Sequence, residues 1–151
     1  METMTTERVI PAPIDEVFDW LSTTTNYTRS PYALRCRLAR PGEGAAYGVG
    51  AVRVHTWLIG WFRERITAYE PPHRFEYVVE RSLPPSKHEL GRLDFTEVEG
   101  GTKVVWTSVV EVRLPVGAAL MTRLVARPVI TRVFGNILAA ADADLTRVRQ
   151  G

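Results

Sequence analysis

The strongest constraint on the fold is a change of hydrophobic period along the chain. Between residues 34 and 112, apolar residues recur with a period of two, which is typical of strands, and after them the period becomes helical. Short turns rich in Gly and Pro separate the strand segments, so we predict an antiparallel meander, because parallel pairs need long crossovers. The predicted strands are Leu34–Arg40, Ala51–Leu58, Trp61–Tyr69, Phe75–Arg81, His88–Phe95 and Lys103–Val112.

The segment before these strands predicts one more strand and two short helices. The first strand covers about Thr5–Ile10, and we expect no structure before Thr5. Pro13 suits the first turn of a helix, where its missing N–H costs nothing. A second short helix or a turn is predicted around Asn26–Pro31. The first helix buries an apolar stripe at helical spacing, formed by Ile14, Val17, Phe18 and Leu21.

The C-terminal region predicts a long amphipathic helix. Pro128 lacks an N–H and crowds the preceding turn, so it should divide the region into Gly117–Arg127 and a main helix near Pro128–Arg149. The apolar face of the main helix consists of Ile130, Phe134, Ile137, Leu138, Ala141, Leu145 and Val148. The fold class is therefore α+β, in which a curved antiparallel sheet of about seven strands wraps around the long C-terminal helix. We predict a single domain over residues 5–149.

Composition excludes several classes of function. The net charge is +2, and no run of Lys and Arg with interleaved aromatics forms a nucleic-acid footprint, so we expect no nucleic-acid partner. Cys36 is the only cysteine, which rules out an intrachain disulfide and a thiolate metal cluster. There is no apolar leader and no unbroken apolar run of 18 residues, so we expect a cytoplasmic protein without stable membrane insertion.

Motifs for cofactors and metals are missing from the sequence. His55, His73 and His88 lack the spacing of a metal site, so none is expected. We interpret His73 as a solvated turn residue, and we favour an exposed strand position for His55 over one at a cavity rim. Gly48-Val-Gly50 is not followed by the helix that a phosphate loop requires, so we expect no nucleotide and no other cofactor.

Three segments, in this order, resemble the START-like helix-grip superfamily, and more narrowly its polyketide cyclase/dehydrase-like branch. They are Ile10-Pro-Ala-Pro-Ile-Asp-Glu-Val-Phe-Asp-Trp-Leu21, Ile66-Thr-Ala-Tyr-Glu-Pro-Pro-His-Arg-Phe75 and Phe95-Thr-Glu-Val-Glu-Gly-Gly-Thr-Lys-Val-Val-Trp106. With the final helix, the resemblance covers nearly the whole chain. It implies a sheet that grips a helix around a cavity. The superfamily includes lipid carriers, hormone receptors, aromatase/cyclases and co-chaperone domains, so the fold does not decide the activity.

Strand alternation predicts which side chains line such a cavity. We expect three sets to point inward: Phe62, Glu64, Ile66 and Ala68; Phe75, Tyr77, Val79 and Arg81; Val104, Trp106, Ser108, Val110 and Val112. Among them Glu64, Tyr77, Arg81 and Ser108 are polar, and a buried charge is costly unless paired. Glu64 and Arg81 would orient a polar ligand head, Glu64 or Tyr77 would act in proton abstraction, or the charges form a structural ion pair. The predicted ligand-binding residues are Phe62, Glu64, Ile66, Phe75, Tyr77, Arg81, Trp106, Ser108, Leu124, Phe134 and Leu138.

The apolar segment Ala118–Ala126 allows four interpretations. It can be a lid over the cavity mouth, a dimer contact, a transient membrane-surface helix, or simple packing over the open end of the sheet. We favour a lid or packing, because Arg123 and Arg127 alone attract a lipid surface only weakly. The chain is accordingly expected to be a monomer or a homodimer.

Three hypotheses for function follow. The leading one is a binding protein that encloses a lipid-, aromatic- or polyketide-like apolar ligand. The second is an aromatase/cyclase-like enzyme that abstracts a proton through Glu64, Tyr77 or a cavity histidine. The third is a protein-interaction domain whose core is filled.

Overall fold

The structure is a computed structural model that describes residues 2–113 and 116–150. The side chains of Val112 and Val148, for which we predicted inward positions, lie outside the described part. The elements are β1 (Glu2–Ile10), α1 (Ile14–Ser22), a 3-10 helix (Thr24–Arg29), β2 (Ala33–Arg40), β3 (Val52–Trp57), β4 (Gly60–Glu70), β5 (Arg74–Leu83), β6 (Ser86–Val98), β7 (Gly101–Val112), α2 (Ala118–Met121), a π-helical turn (Thr122–Ala126) and α3 (Arg127–Gln150).

The seven strands form one antiparallel sheet in the order β1-β7-β6-β5-β4-β3-β2. Strands β2 to β7 follow one another as a meander, and β1 joins the far edge beside β7. The predicted α+β architecture, with short helices after the first strand and a long helix at the C-terminus, is confirmed.

The first strand is longer than the sequence indicated. It begins at Glu2, and Met4 lies opposite Ser108 with only 1% of its surface exposed. The expectation that nothing before Thr5 carries structure is therefore wrong. The long strand β7 supplies backbone partners as far as Val110, so the chain continues the ladder instead of fraying.

Irregularities in β4 and β5 change which side chains face the core. The pairing shifts between Arg63 and Glu64, and again between Ile66 and Ala68. The first shift places an additional residue, Glu80, in β5, so a side chain beyond it changes face. Arg81 consequently lies opposite Arg63 and is exposed, and its predicted inward position is wrong.

Helix α3 packs on the sheet through the predicted apolar stripe and through Val133, which was not predicted to be part of it. Val133, Ile137, Leu138 and Ala141 are fully buried in the same cluster as the inward residues of the strands. The ring of Phe134 is stacked on Trp106 of β7, with the centroids 4.0 Å apart. Polar contacts also hold the helix, since Asn136 accepts a hydrogen bond from Ser30 and, closer to the C-terminal end, Asp144 accepts one from the indole N–H of Trp20. The helix is thus anchored to the sheet and to both N-terminal helical segments.

The predicted break at Pro128 takes the form of a change in helix type. Backbone helix runs continuously from Ala118 to Gln150, but the turn Thr122–Ala126 just before Pro128 is π-helical. Such π-helical turns occur mostly as single turns inside α-helices.

By length and composition alone, the helix Ala118–Arg147 is able to cross a membrane, with a mean hydropathy of 1.3 and 28% of its apolar stretch buried. Core helices of soluble proteins pass the same test. Here the stretch includes the core-packed face of α3, and its exposed apolar residues lie near the start of the helix, at Leu120, Met121, Leu124, Val125 and Val129.

Candidate ligand-binding site

A cavity in two parts lies between the sheet and the start of α3. The inner chamber has a volume of about 50 Å³ and the outer chamber about 440 Å³. The two adjoin, because both are lined by Ile59, Phe62, Ser86, Val110 and Ile130. Outward from these, the wall is formed by Pro84, Met121, Val125, Ala126 and Val129. Among the described residues, Ser86 is the one polar member of the outer lining, so this chamber suits an apolar group.

The inner chamber has a polar floor. Its lining includes Glu64, Tyr77, Ser86, His88 and Ser108, whereas the rest of its wall is apolar. These polar residues come from four neighbouring strands, β4 to β7, and the apolar wall includes Trp57 of β3 and Phe134 of α3. A ligand that fills both chambers would therefore present an apolar body outward and a polar end inward.

Glu64 is the centre of a buried ionic cluster. The hairpin formed by β3 and β4 places Arg53 directly opposite Glu64, and Nη2 of Arg53 donates to Oε1 of Glu64 at 2.5 Å. Nε2 of His55 lies 2.9 Å from the same oxygen. Arg53 also stands over the rings of Tyr77 and Phe75, at 5.0 and 5.6 Å from their centroids. A guanidinium over an aromatic face is a favourable arrangement, which partly compensates for its burial.

These contacts keep Glu64 ionised. Burial by itself raises the pKa of the carboxyl group, but the charges of His55 and Arg53 and the hydrogen bond from His55 outweigh burial and lower the pKa to about 2. An ionised carboxylate only accepts hydrogen bonds, so Nε2 of His55 carries the proton. Both hydrogen bonds end on Oε1, and Oε2 accepts none from the described residues.

His55 is buried rather than exposed, contrary to our interpretation of its strand. Its ring is stacked near the ring of Tyr27, and its Nδ1 lies 3.1 Å from the sulfur of Cys36 on β2. Burial is the main cause that raises the pKa of the Cys36 thiol, to about 11. Among the described residues, no group of three His, Cys, Asp or Glu side chains is arranged to hold a metal ion.

His88 holds Ser108 at the chamber wall. Nδ1 of His88 accepts the backbone N–H of Val79 at 3.1 Å, so the proton of a neutral ring must be on Nε2. Nε2 lies 3.2 Å from the hydroxyl of Ser108 and therefore donates to it. Burial lowers the pKa of His88, and the charge of Glu64 opposes that effect, which agrees with a neutral imidazole.

The hydroxyl of Tyr77 completes the floor. It accepts a hydrogen bond from the indole N–H of Trp106 at 2.9 Å. Burial, followed by the charge of Glu64, raises the pKa of Tyr77 well above its ordinary value. Tyr77 is therefore a neutral phenol that keeps its O–H, and the alcohol of Ser108 keeps its O–H as well, so both lining residues have a hydrogen-bond donor.

The predicted site residues separate into three groups. Phe62, Glu64, Tyr77, Ser108 and Phe134 line the inner chamber. A second group lies in the buried core behind the lining and consists of Ile66, Phe75, Trp106 and Leu138. The third group lies outside the cavity: Arg81 is exposed beyond the β5 irregularity, and Leu124 is 62% exposed on the helix surface.

Arg53, His55 and His88 were not predicted as site residues. On β3 the apolar alternation favours Val52 and Val54 as the inward set, but Arg53 and His55 face Glu64. The available signal was the β3–β4 hairpin, since Trp57 pairs with Gly60 and the same register places Arg53 opposite Glu64. His73, interpreted as a solvated turn residue, is exposed as expected.

Comparisons with known proteins agree with this architecture. Residues 1–145 match the model of the family described as polyketide cyclase/dehydrase and lipid transport. No curated protein matches the sequence.

Many solved structures are similar in fold, and three examples show how far the similarity extends. TTHA0849 from Thermus thermophilus is 15% identical with a TM-score of 0.80, covering 97% of this chain and 99% of its own. A START superfamily protein from Mycobacterium smegmatis is 13% identical with a TM-score of 0.75, and the match covers 97% of this chain and 98% of that protein. XoxI from Bacillus cereus is 16% identical with a TM-score of 0.74, covering 99% of both chains.

Proposed function

This chain belongs to the polyketide cyclase/dehydrase and lipid transport family, and from that premise we propose that it is a small-molecule binding protein. It encloses a lipid-, aromatic- or polyketide-like ligand between the sheet and the C-terminal helix. The observation that carries the proposal is the cavity in two parts, with an apolar outer chamber above a polar inner floor.

The outer chamber supplies the affinity. Each methylene group that leaves water for an apolar wall contributes about 0.8 kcal/mol, so a chain of several carbons gains enough to offset its loss of freedom. Met121, Val125 and Val129 form the helical side of this chamber at intervals of four residues. The segment Ala118–Ala126 thus acts as one wall of the mouth, consistent with its interpretation as a lid or packing element.

The cyclase-like alternative requires a group that removes a proton, and the candidates are poorly suited. Glu64 is a weak base, because Arg53 and His55 hold its pKa at about 2. Tyr77 retains its proton, since burial raises its pKa. The two ring nitrogens of His88 are engaged by Val79 and Ser108. These contacts favour ligand binding over proton abstraction.

If the chain were an interaction domain with a filled core, it would not bind a small apolar probe, so a binding experiment separates the two hypotheses. We would titrate the protein with the uncharged fluorescent probe N-phenylnaphthylamine and compare Ala126→Trp with Leu124→Trp. Ala126 lines the outer chamber, whereas Leu124, two residues away on the same helical segment, is exposed outside it. The indole at position 126 should fill the chamber, and the one at position 124 should project into solvent.

We expect saturable binding of one probe per chain, retained in Leu124→Trp and weakened at least tenfold in Ala126→Trp, a loss of about 1.4 kcal/mol. Absence of saturable binding to the wild-type protein, or equal binding by both variants, would overturn the proposal. Native mass spectrometry of the freshly purified protein, recorded before the titration, would identify any ligand already bound so that it can be extracted first.

A further inference from the structure

The floor of the inner chamber offers two donors and one acceptor to a ligand. Ser108 receives a hydrogen bond from His88, and Tyr77 receives one from Trp106. Each hydroxyl uses an oxygen lone pair in that contact and keeps its own O–H, for which no acceptor lies among the described residues. A buried donor without an acceptor is costly, so a ligand oxygen placed between them relieves that cost.

The acceptor is the second oxygen of Glu64. Arg53 and His55 both bind Oε1, which leaves Oε2 without a hydrogen bond from the described residues, in a side chain that lines the chamber. The positive guanidinium of Arg53 binds Oε1 and is itself not part of the chamber lining. A ligand in the chamber therefore meets negative charge first.

From these contacts we propose that the ligand enters with an uncharged head that both accepts and donates a hydrogen bond, such as an alcohol or phenol hydroxyl, and that the site excludes carboxylates. This inference rests on the proposed function and specifies the ligand class for the same cavity. The head oxygen would accept from Ser108 and Tyr77 and donate its proton to Glu64. A ligand carboxylate would have no proton to donate and would face Oε2 in a site of low dielectric constant, where like charges repel strongly.

The size of the chamber agrees with a small head. A single water needs about 10–15 Å³ by this measure of volume, so the inner chamber holds only a few water-sized groups. The hydroxyl and its adjacent carbons fit there, and the remainder of the ligand must extend into the outer chamber of about 440 Å³.

The test uses probes of matched chain length. Decanol, decanamide and decanoate would compete with N-phenylnaphthylamine for the wild-type protein at about pH 8, where a fatty acid free in solution is ionised. We expect decanol and decanamide to displace the probe at least tenfold more effectively than decanoate. In Glu64→Gln the glutamine side chain carries no negative charge, so the difference in displacement between decanol and decanoate should become smaller. In the control Glu80→Gln, which changes an exposed glutamate paired with Arg65, that difference should persist.

A second variant tests the donors independently of the charge. Ser108→Ala should weaken the binding of decanol and leave the binding of N-phenylnaphthylamine intact, since the apolar probe does not need the hydroxyl of Ser108. Equal or stronger displacement by decanoate in the wild-type protein would overturn the inference while leaving the proposed function in place. If neither the fluorescent probe nor any competitor binds, the proposed function fails and the inference fails with it.

Discussion

The ring of Tyr77 lies over Gly91, the residue directly opposite it on β6. A Cβ atom at position 91 would overlap the ring, so only glycine permits this approach. The arrangement lets the hydroxyl of Tyr77 reach Trp106 on the next strand, β7. One missing side chain in β6 therefore positions one of the two hydroxyl donors of the chamber.

We predict that Gly91→Ala displaces Tyr77. The added methyl group overpacks the strand pair, which should destabilise the protein by about 1–3 kcal/mol and weaken the binding of decanol. The matched control is Gly135→Ala in α3, where the new Cβ would lie 3.8 Å from Thr6 at ordinary contact distance. Alanine in a helix is favoured over glycine by about 0.5–1 kcal/mol, so this change should stabilise. Urea denaturation of both variants checks the opposite signs, and two shifts of the same sign would contradict the argument.

The ionic cluster predicts acid sensitivity. Folding lowers the pKa of Glu64 from 4.5 to about 2, so its contribution to stability is complete above pH 4.5 and is lost as the pH falls toward the folded-state value. The contribution is on the order of 3 kcal/mol, at about 1.4 kcal/mol for each pKa unit. Removing one charge from a buried pair costs about 3–5 kcal/mol, so Glu64→Gln should be less stable at neutral pH but lose less stability on acidification.

The exposed ion pair of Glu80 with Arg65 provides the comparison for that measurement. Glu80→Gln should change the free energy of unfolding by at most about 1 kcal/mol, because solvent screens the pair. Urea denaturation at a series of pH values would give the pH dependence of the free energy of unfolding for both variants and for the wild-type protein. A slope for Glu64→Gln as steep as that of the wild-type protein would show that other groups cause the acid sensitivity.

The main features of the fold and part of the floor were predictable because they depend on local periodicity. The period of two placed Glu64, Tyr77 and Ser108 on the inward faces of their strands, and the helical period gave the buried stripe that contains Phe134. These positions follow from the geometry of a single strand or helix, which the sequence records directly.

Features that depend on pairing between elements were not predictable in this way. An additional residue in β5 turned the side chain of Arg81 to the opposite face of the sheet, since an irregular strand breaks the alternation that the prediction assumed. Leu124 was misplaced because helix orientation is set by packing, which turns Met121 and Val125 toward the cavity instead. Arg53 is buried although the apolar alternation of β3 predicts that it faces outward, because Glu64 lies opposite it on β4. The pattern of β3 alone does not reveal this partner.

The stacking of Phe134 on Trp106 predicts that this contact anchors the long helix. Phe134 is buried, and truncating a buried phenylalanine costs about 3–5 kcal/mol through lost contacts and the cavity left behind. Phe134→Ala should therefore lower the denaturation midpoint strongly, whereas Leu124→Ala, at an exposed position, should change stability by about 0.5 kcal/mol or less. Similar effects of the two substitutions would indicate that α3 is held mainly by its other contacts.

The single cysteine offers a chemical test of whether the cluster is closed in solution. Cys36 is buried beside His55, and burial raises its pKa to about 11, so the thiolate that reacts with alkylating agents is scarce in the folded protein. In the unfolded chain the pKa returns to about 8.5, so at about pH 8 iodoacetamide should react at least about a hundredfold faster in urea than in buffer. Mass spectrometry follows the reaction at one site, since the chain has no other cysteine. Rapid modification of the folded protein would mean that β2 opens readily beside His55, and the buried contact network around Glu64 would then be transient.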